Sequence, residues 1–123
     1  RTTLMVKNIP NRLTHEKLVE MFDQVVKGTY DCFTLPTDPF RRCNMGFGFV
    51  NFIDPKAIIP FYKEFQGRPW SLSEEHKDSN KVIELKYSRC QGTKKLLKSW
   101  GNSAQMPVQR TDTGQKGMSS KYS

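Results

Sequence analysis

The chain has 123 residues, 36% of them hydrophobic, and 20 Lys or Arg against 12 Asp or Glu give a net charge of +8. That length supports one domain with a modest core and an appendage, without a disulfide or metal scaffold. Cys32, Cys43 and Cys90 stand far apart with no C-x-x-C, and no apolar run approaches membrane-spanning length, so a structural zinc site and a membrane span are both disfavoured.

His15 and His76 lie near no cysteine pair. Reduced thiols and the lack of a signal peptide fit a protein of the nucleus or cytoplasm. The start at Arg1, immediately before a strand-like run, reads as a piece of something longer. The charge is also lopsided: residues 1–85 carry +1 and residues 86–123 carry +7. A basic C-terminal third points to a polyanion, most often nucleic acid, or to a solubilising tail.

TLMVKNI, Thr3 to Ile9, alternates and is β-rich, so it reads as the first strand. Thr14 is a good N-cap for a helix over residues 15–26, with Leu13 and Leu18 at the two positions of a hydrophobic staple. Leu18, Met21, Phe22 and Val25 form its apolar stripe, and Gly28 closes it. YDCFTLP, Tyr30 to Pro36, is the second strand; Phe33 and Leu35 suit its core side, which turns Cys32 and Thr34 outward and leaves Tyr30 open to either face. The loop TDPFRRCN carries Arg41 and Arg42, and MGFGFVNFI follows as the third strand.

Asp54-Pro55 starts the second helix as cap then proline, with Ile53 and Ile58 repeating the staple. Pro60 predicts a kink or an irregular first turn, Phe61 and Phe65 continue the stripe, and Gly67 ends it. Ser71 to Lys81 is polar and loop-like, with an acidic insert at Glu74-Glu75, and VIELKYS is the fourth strand. The order β-α-β-β-α-β matches the split βαβ, ferredoxin-like arrangement: an α+β fold whose four-stranded antiparallel sheet carries two helices on one face. This assigns residues 1–90 to the folded domain. Residues 91–103 form a basic extension with a short helix at Thr93 to Trp100, and residues 104–123 a disordered tail.

Successive strand side chains point to opposite faces. In the third strand Gly46, Gly48, Val50 and Phe52 share the core side, while Met45, Phe47, Phe49 and Asn51 share the other. Leu4, Val6, Ile83 and Leu85 are core residues by the same rule, and Met5, Lys7, Glu84 and Lys86 point away. The glycines let a helix approach the strand closely. Phe47 and Phe49 therefore stand on the open face beside Met5, Lys7 and Lys86. Aromatic rings ringed by cations suit unpaired nucleobases, with Lys7, Lys86, Arg41, Arg42 and Arg89 meeting phosphates. Asn51 shares that face and can hydrogen-bond a base edge. Asn8 ties down the turn after the first strand.

MGFGFVNF, Met45 to Phe52, resembles the octamer of the RNA recognition motif (RRM), K/R-G-F/Y-G/A-F-V-x-F/Y, departing only at Met45. LMVKNI, Leu4 to Ile9, resembles the partner hexamer, with Met5 in place of the usual stacking aromatic. RTTLMVKNIPNRLT, KGTYDCFTLPTD, CNMGFGFVNFIDP and YSRCQGTKKLL further resemble the C-terminal RRM of Mei-two-like proteins, RNA-binding regulators of meiosis and development. The resemblance implies a monomeric RRM within a longer chain, binding single-stranded RNA without a cofactor or metal.

Leu96, Leu97 and Trp100 form a narrow stripe among Lys94, Lys95 and Lys98. The helix carrying them packs at the domain edge, or lies beside or across the sheet and extends or gates the RNA site, with Lys94 and Lys95 as added contacts. The rival to RNA binding is a peptide-binding RRM that uses an acidic first helix, with Glu16, Glu20 and Asp23, and the Arg68/Trp70 loop. An enzyme is disfavoured: there is no P-loop, GFGFVNF lacks the third glycine of a dinucleotide fingerprint, and no Ser-His-Asp set has plausible spacing.

Overall fold

Helix α1, His15–Val26, begins where its cap predicts: the Thr14 hydroxyl accepts the Lys17 backbone N–H at 3.2 Å. Leu13 and Leu18 are both buried, as the staple requires. Gly28 closes the helix at φ +80, a conformation that a side chain disfavours. The computed structural model describes residues 1–70 and 80–100. Most of the polar loop, including Glu74-Glu75, and the tail assigned as disordered lie outside the described residues.

Strands β1 (Thr3–Lys7), β2 (Tyr30–Thr34), β5 (Phe47–Phe52) and β6 (Glu84–Tyr87) form one antiparallel sheet in the order β2-β5-β1-β6. Between β2 and β5, the segment read as a plain loop folds into a hairpin of β3 (Thr37–Asp38) and β4 (Cys43–Asn44). Asn44 anchors it: its side-chain amide donates to the Pro10 and Leu13 carbonyls at 2.9 and 2.8 Å. The start of the fourth strand is shorter than its sequence predicts, because Val82 makes only an isolated bridge to Pro69.

A 3-10 turn, Pro55–Ala57, precedes α2, Ile58–Phe65. The Asp54 carboxylate caps the turn by accepting the Lys56 N–H at 2.9 Å. Pro60 sits in the first turn of α2, where a missing N–H is tolerated, and the irregular entry it predicts is present. Both helices cover one side of the sheet. There Phe22 meets Phe33, Phe61 and Phe65 edge-on, with centroids 5.3, 5.1 and 5.6 Å apart.

Three local expectations are corrected. The α1 stripe is rotated: Val26 is buried and Val25 is exposed. His15 sets that rotation. Its ring stacks on Phe33 at 4.9 Å and its Nε2 lies 3.2 Å from the Phe33 carbonyl oxygen, so the buried line runs His15, Leu18, Phe22, Val26. Ile53 is 64% exposed, so no second staple forms; its N–H instead donates to the Thr29 carbonyl. Gly48 makes room for β2 rather than for a helix: an added Cβ would lie 2.9 Å from the Thr34 carbonyl oxygen and 3.0 Å from the Phe33 ring. Tyr30, open to either face in the sequence, is settled by a register shift between Tyr30 and Cys32. That bulge turns Tyr30 into the core together with Phe33, which simple alternation forbids.

Candidate nucleic-acid interface

The face opposite α1 and α2 is assembled by strand register. One row across the sheet is Lys86, Met5, Phe49 and Thr34; the next is Glu84, Lys7 and Phe47; a third is Thr3, Asn51 and Cys32. Directly opposed residues in such rows lie within reach of one another. Phe47 and Phe49 meet edge-on at 5.7 Å. The alternation that places both rings and Met5 away from the main core is therefore as expected.

Their exposure is not. Helix α3, Thr93–Trp100, lies across this face. Leu96 is fully buried in a second apolar cluster with Cys32 and Phe49, against which Met5, Phe47, Cys90 and Trp100 pack. The Trp100 indole stacks on Phe49 with centroids 5.7 Å apart and planes 23° apart, and meets Phe47 edge-on at 5.6 Å. Phe49, expected to be open, is only 7% exposed, while Phe47 and Met5 remain half-buried. The physical reason is the spacing of Leu96 and Trp100, one helical turn apart, which lets a single short helix cover the ring. Leu97, read into the same stripe, points outward.

A polar network fastens the start of α3. Asn51 Oδ1 accepts from the Thr2 and Thr3 hydroxyls at 2.8 and 2.7 Å, and its Nδ2 donates to Asp31 Oδ1 at 2.9 Å and Thr93 Oγ1 at 3.1 Å. The Thr93 hydroxyl donates in turn to Asp31 at 2.8 Å. Gln91 Oε1 accepts the Thr2 and Thr3 backbone N–H groups, and the Gly92 N–H donates to Thr3 Oγ1. Asn51 thus spends both amide hydrogens and both carbonyl lone pairs inside the protein, in place of the expected base contact.

Two further buried groups, both on β2, stand out. The Cys32 thiol is pushed up to about 11 by burial, with the Asp31 carboxylate adding to the shift and a Thr93 hydrogen bond opposing it. Thr34 Oγ1 is buried with no hydrogen-bond partner among the described residues, a cost of about 1–3 kcal/mol.

Lys86, Arg89, Lys94, Lys95 and Lys98 are exposed, and Lys7 lies 3.8 Å from Glu84. Arg41 and Arg42 stand on the β3–β4 hairpin, with Arg41 Nε 3.8 Å from Asp38. Between β3 and Arg41, Phe40 is 93% exposed, a ring that face-parity reasoning could not find because it belongs to a turn. Asn8 does tie down the end of β1, donating to the Val82 carbonyl at 3.1 Å.

The Arg68/Trp70 loop does not offer what a peptide-capturing reading needs. Trp70 is 1% exposed in the main core, and Arg68 is paired with Glu64 at 2.8 Å. On the acidic helix, Asp23 accepts the Tyr30 hydroxyl at 2.7 Å. Among the described residues no group of His, Cys, Asp and Glu could hold a metal, and no helix is long and apolar enough to cross a membrane.

A βαββαβ sheet with two helices on one face and paired aromatics on the other, here capped by α3, defines an RRM-fold domain. Solved structures bear out that architecture. A structure of the Rna15 RRM with bound RNA (GU) superposes with a TM-score of 0.61 at 15% identity, covering 81% of this chain and 96% of that one. The Sex-lethal RNA recognition domains 1 and 2 from Drosophila melanogaster give 0.58 at 21% identity, covering 72% and 50%. The family model for RNA recognition motif 2 matches residues 1–100, and the chain belongs to that family. The match takes in α3 as well as the sheet. Among curated relatives, Protein MEI2-like 4 of Arabidopsis thaliana is 46% identical over 106 residues, covering 86% of this chain and 11% of its own length. Protein MEI2-like 5 of Oryza sativa subsp. japonica is 45% identical, covering 86% and 13%. The chain thus spans about a tenth of the length of these relatives.

Proposed function

We propose that this domain binds single-stranded RNA across the face of its sheet opposite α1 and α2, as one module of a larger Mei2-like regulator of RNA in meiosis or development. The observation that carries this is the placement of Phe47 and Phe49 in adjoining rows with Met5, bordered by Lys7 and Lys86. Stacking is tolerant of base identity because every base has a π-face. Membership in the RNA recognition motif 2 family supports the same reading, as does the likeness in fold to an RRM with bound RNA. The chemistry is binding rather than catalysis, as an RRM in the nucleus or cytoplasm would perform.

Phe47, Met5, Lys7 and Lys86 form the accessible part of the platform. Arg41 and Arg42 grip the backbone from the hairpin, with Phe40 between them and β3 as an additional stacking ring. Arg89, Lys94, Lys95 and Lys98 extend the positive charge along α3.

The test is titration with short single-stranded RNA over a range of salt. For single strands log K falls with log salt by about 0.7 per phosphate neutralised, so four engaged cations give a slope near −3. Phe47→Ala is expected to cost about 1–3 kcal/mol of affinity, measured where the variant is folded, because its ring also packs on Phe49 and Trp100. A dissociation constant that the substitution leaves untouched, or a wild-type protein that ignores RNA, contradicts the proposal.

A further inference from the structure

The described surface was built from the sheet, yet its deepest ring is covered by the chain itself. We infer that α3 is a competitor for the RNA site: the Trp100 indole occupies the place of a stacked base on Phe49, and an incoming unpaired base exchanges with it while the start of the helix stays fastened. This rests on the RNA-binding reading and concerns how that site is regulated.

The exchange is chemically matched. An indole and a purine are flat bicyclic rings of similar size, and Trp100 lies nearly parallel to Phe49 at 5.7 Å. The rest of the cover is slight. Of eight residues in α3, Leu96 alone is buried. Such a short helix is marginal once detached, because isolated helices need about 12–15 residues in water. Lys94, Lys95 and Lys98 are exposed on it, so an approaching phosphate chain is drawn to the cover before it reaches the platform.

The two ends of α3 are held differently. Thr93 is fixed through Asn51 and Asp31, and the neighbouring Gln91 and Gly92 are fixed through Thr2 and Thr3. The Trp100 end is held by the ring contacts of Trp100 and by one long, weak Ser99–Cys90 contact of 4.0 Å. The helix therefore pivots near Thr93, and its Trp100 end lifts.

The apparent dissociation constant of a site that is open only part of the time is the intrinsic one divided by the open fraction. Loosening the cover without touching the sheet must then tighten RNA binding by the same factor that it increases opening. Cys32 reports opening directly: it is wholly buried under Leu96, so alkylation in the RNA-free protein requires α3 to lift. The experiment compares the wild type with Trp100→Ala and Trp100→Phe. It measures the peptide-resolved alkylation rate of Cys32, with Cys43 as internal reference, and the affinity for a short single-stranded RNA.

Trp100→Ala is expected to speed Cys32 alkylation and tighten RNA binding in parallel, each by roughly 3- to 10-fold, the worth of an aromatic pair. Trp100→Phe, which keeps a ring on Phe49, should lie between the two. Faster alkylation with unchanged or weaker RNA binding would show that the indole does not compete with a base. An unchanged alkylation rate would show that Trp100 does not hold the cover. Both overturn the inference while leaving RNA binding itself intact. If no variant binds RNA, the functional reading fails and the exchange fails with it.

Discussion

Replacing Asn51 with alanine separates two roles that share one face of β5. The sequence places Asn51 outward beside Phe49, where it could read a base. In the structure its amide closes four hydrogen bonds: to Thr2, Thr3, Asp31 and Thr93, at 2.8, 2.7, 2.9 and 3.1 Å. The bond from Thr3 is buried, so truncation leaves that hydroxyl's proton without an acceptor, at about 1–3 kcal/mol, while its oxygen still accepts the Gly92 N–H. The other three are partly buried, and water replaces them at a small net loss, together about 1 kcal/mol. Asn51→Ala should therefore destabilise the domain by about 2–4 kcal/mol in urea unfolding, with an unchanged m-value. It should also loosen the Thr93 end of α3, which keeps its bond to Asp31. RNA affinity, measured where the variant is folded, should hold or improve rather than fall. A stability loss under about 0.5 kcal/mol, combined with a large loss of RNA affinity, would refute the assignment and return Asn51 to the bases.

Two further outcomes follow from the packing. Gly48→Ala forces a methyl to 2.9 Å from the Thr34 carbonyl oxygen and 3.0 Å from the Phe33 ring, so β2 and β5 must separate. Equilibrium unfolding should show a loss of about 1–3 kcal/mol, and a neutral result would mean that the two strands yield more easily than a close-packed core allows. Burial pushes the Cys32 thiol up to about 11 in the folded protein from an ordinary 9.0, so only the unfolded chain releases its proton between those values. Stability is thus unaffected by this group below about pH 8, and declines from pH 9 to pH 11 as the unfolded state gains from ionisation. Cys32→Ala should remove that alkaline component from a pH series of unfolding midpoints, and an identical decline in both proteins would disprove the linkage.

Strand alternation, caps and helix periodicity in the sequence were enough to establish the element order, the sheet and the faces of its strands. Those signals are local: Thr14 before a stripe, Asp54 before proline, glycines alternating with phenylalanines between Met45 and Phe49. They also fixed which side of the sheet Phe47, Phe49 and Met5 occupy, because a period of two leaves no choice once Val50 and Leu4 are inside.

What remained open depended on distances between segments remote in the chain. Whether Trp70 faced a partner or the core, and whether Tyr30 turned in or out, was decided by the space left between α2 and the sheet and by a one-residue bulge. The same is true of α3. Its sequence declares a basic helix with an apolar stripe, but an amphipathic helix carries no address. Only the tertiary structure brings Leu96 over Cys32 and Trp100 over Phe49, because Asn51, some forty residues earlier, holds Thr93 at the edge of the sheet. Periodicity names the face of each element; shape and unpaired hydrogen-bonding groups determine what comes to rest on it.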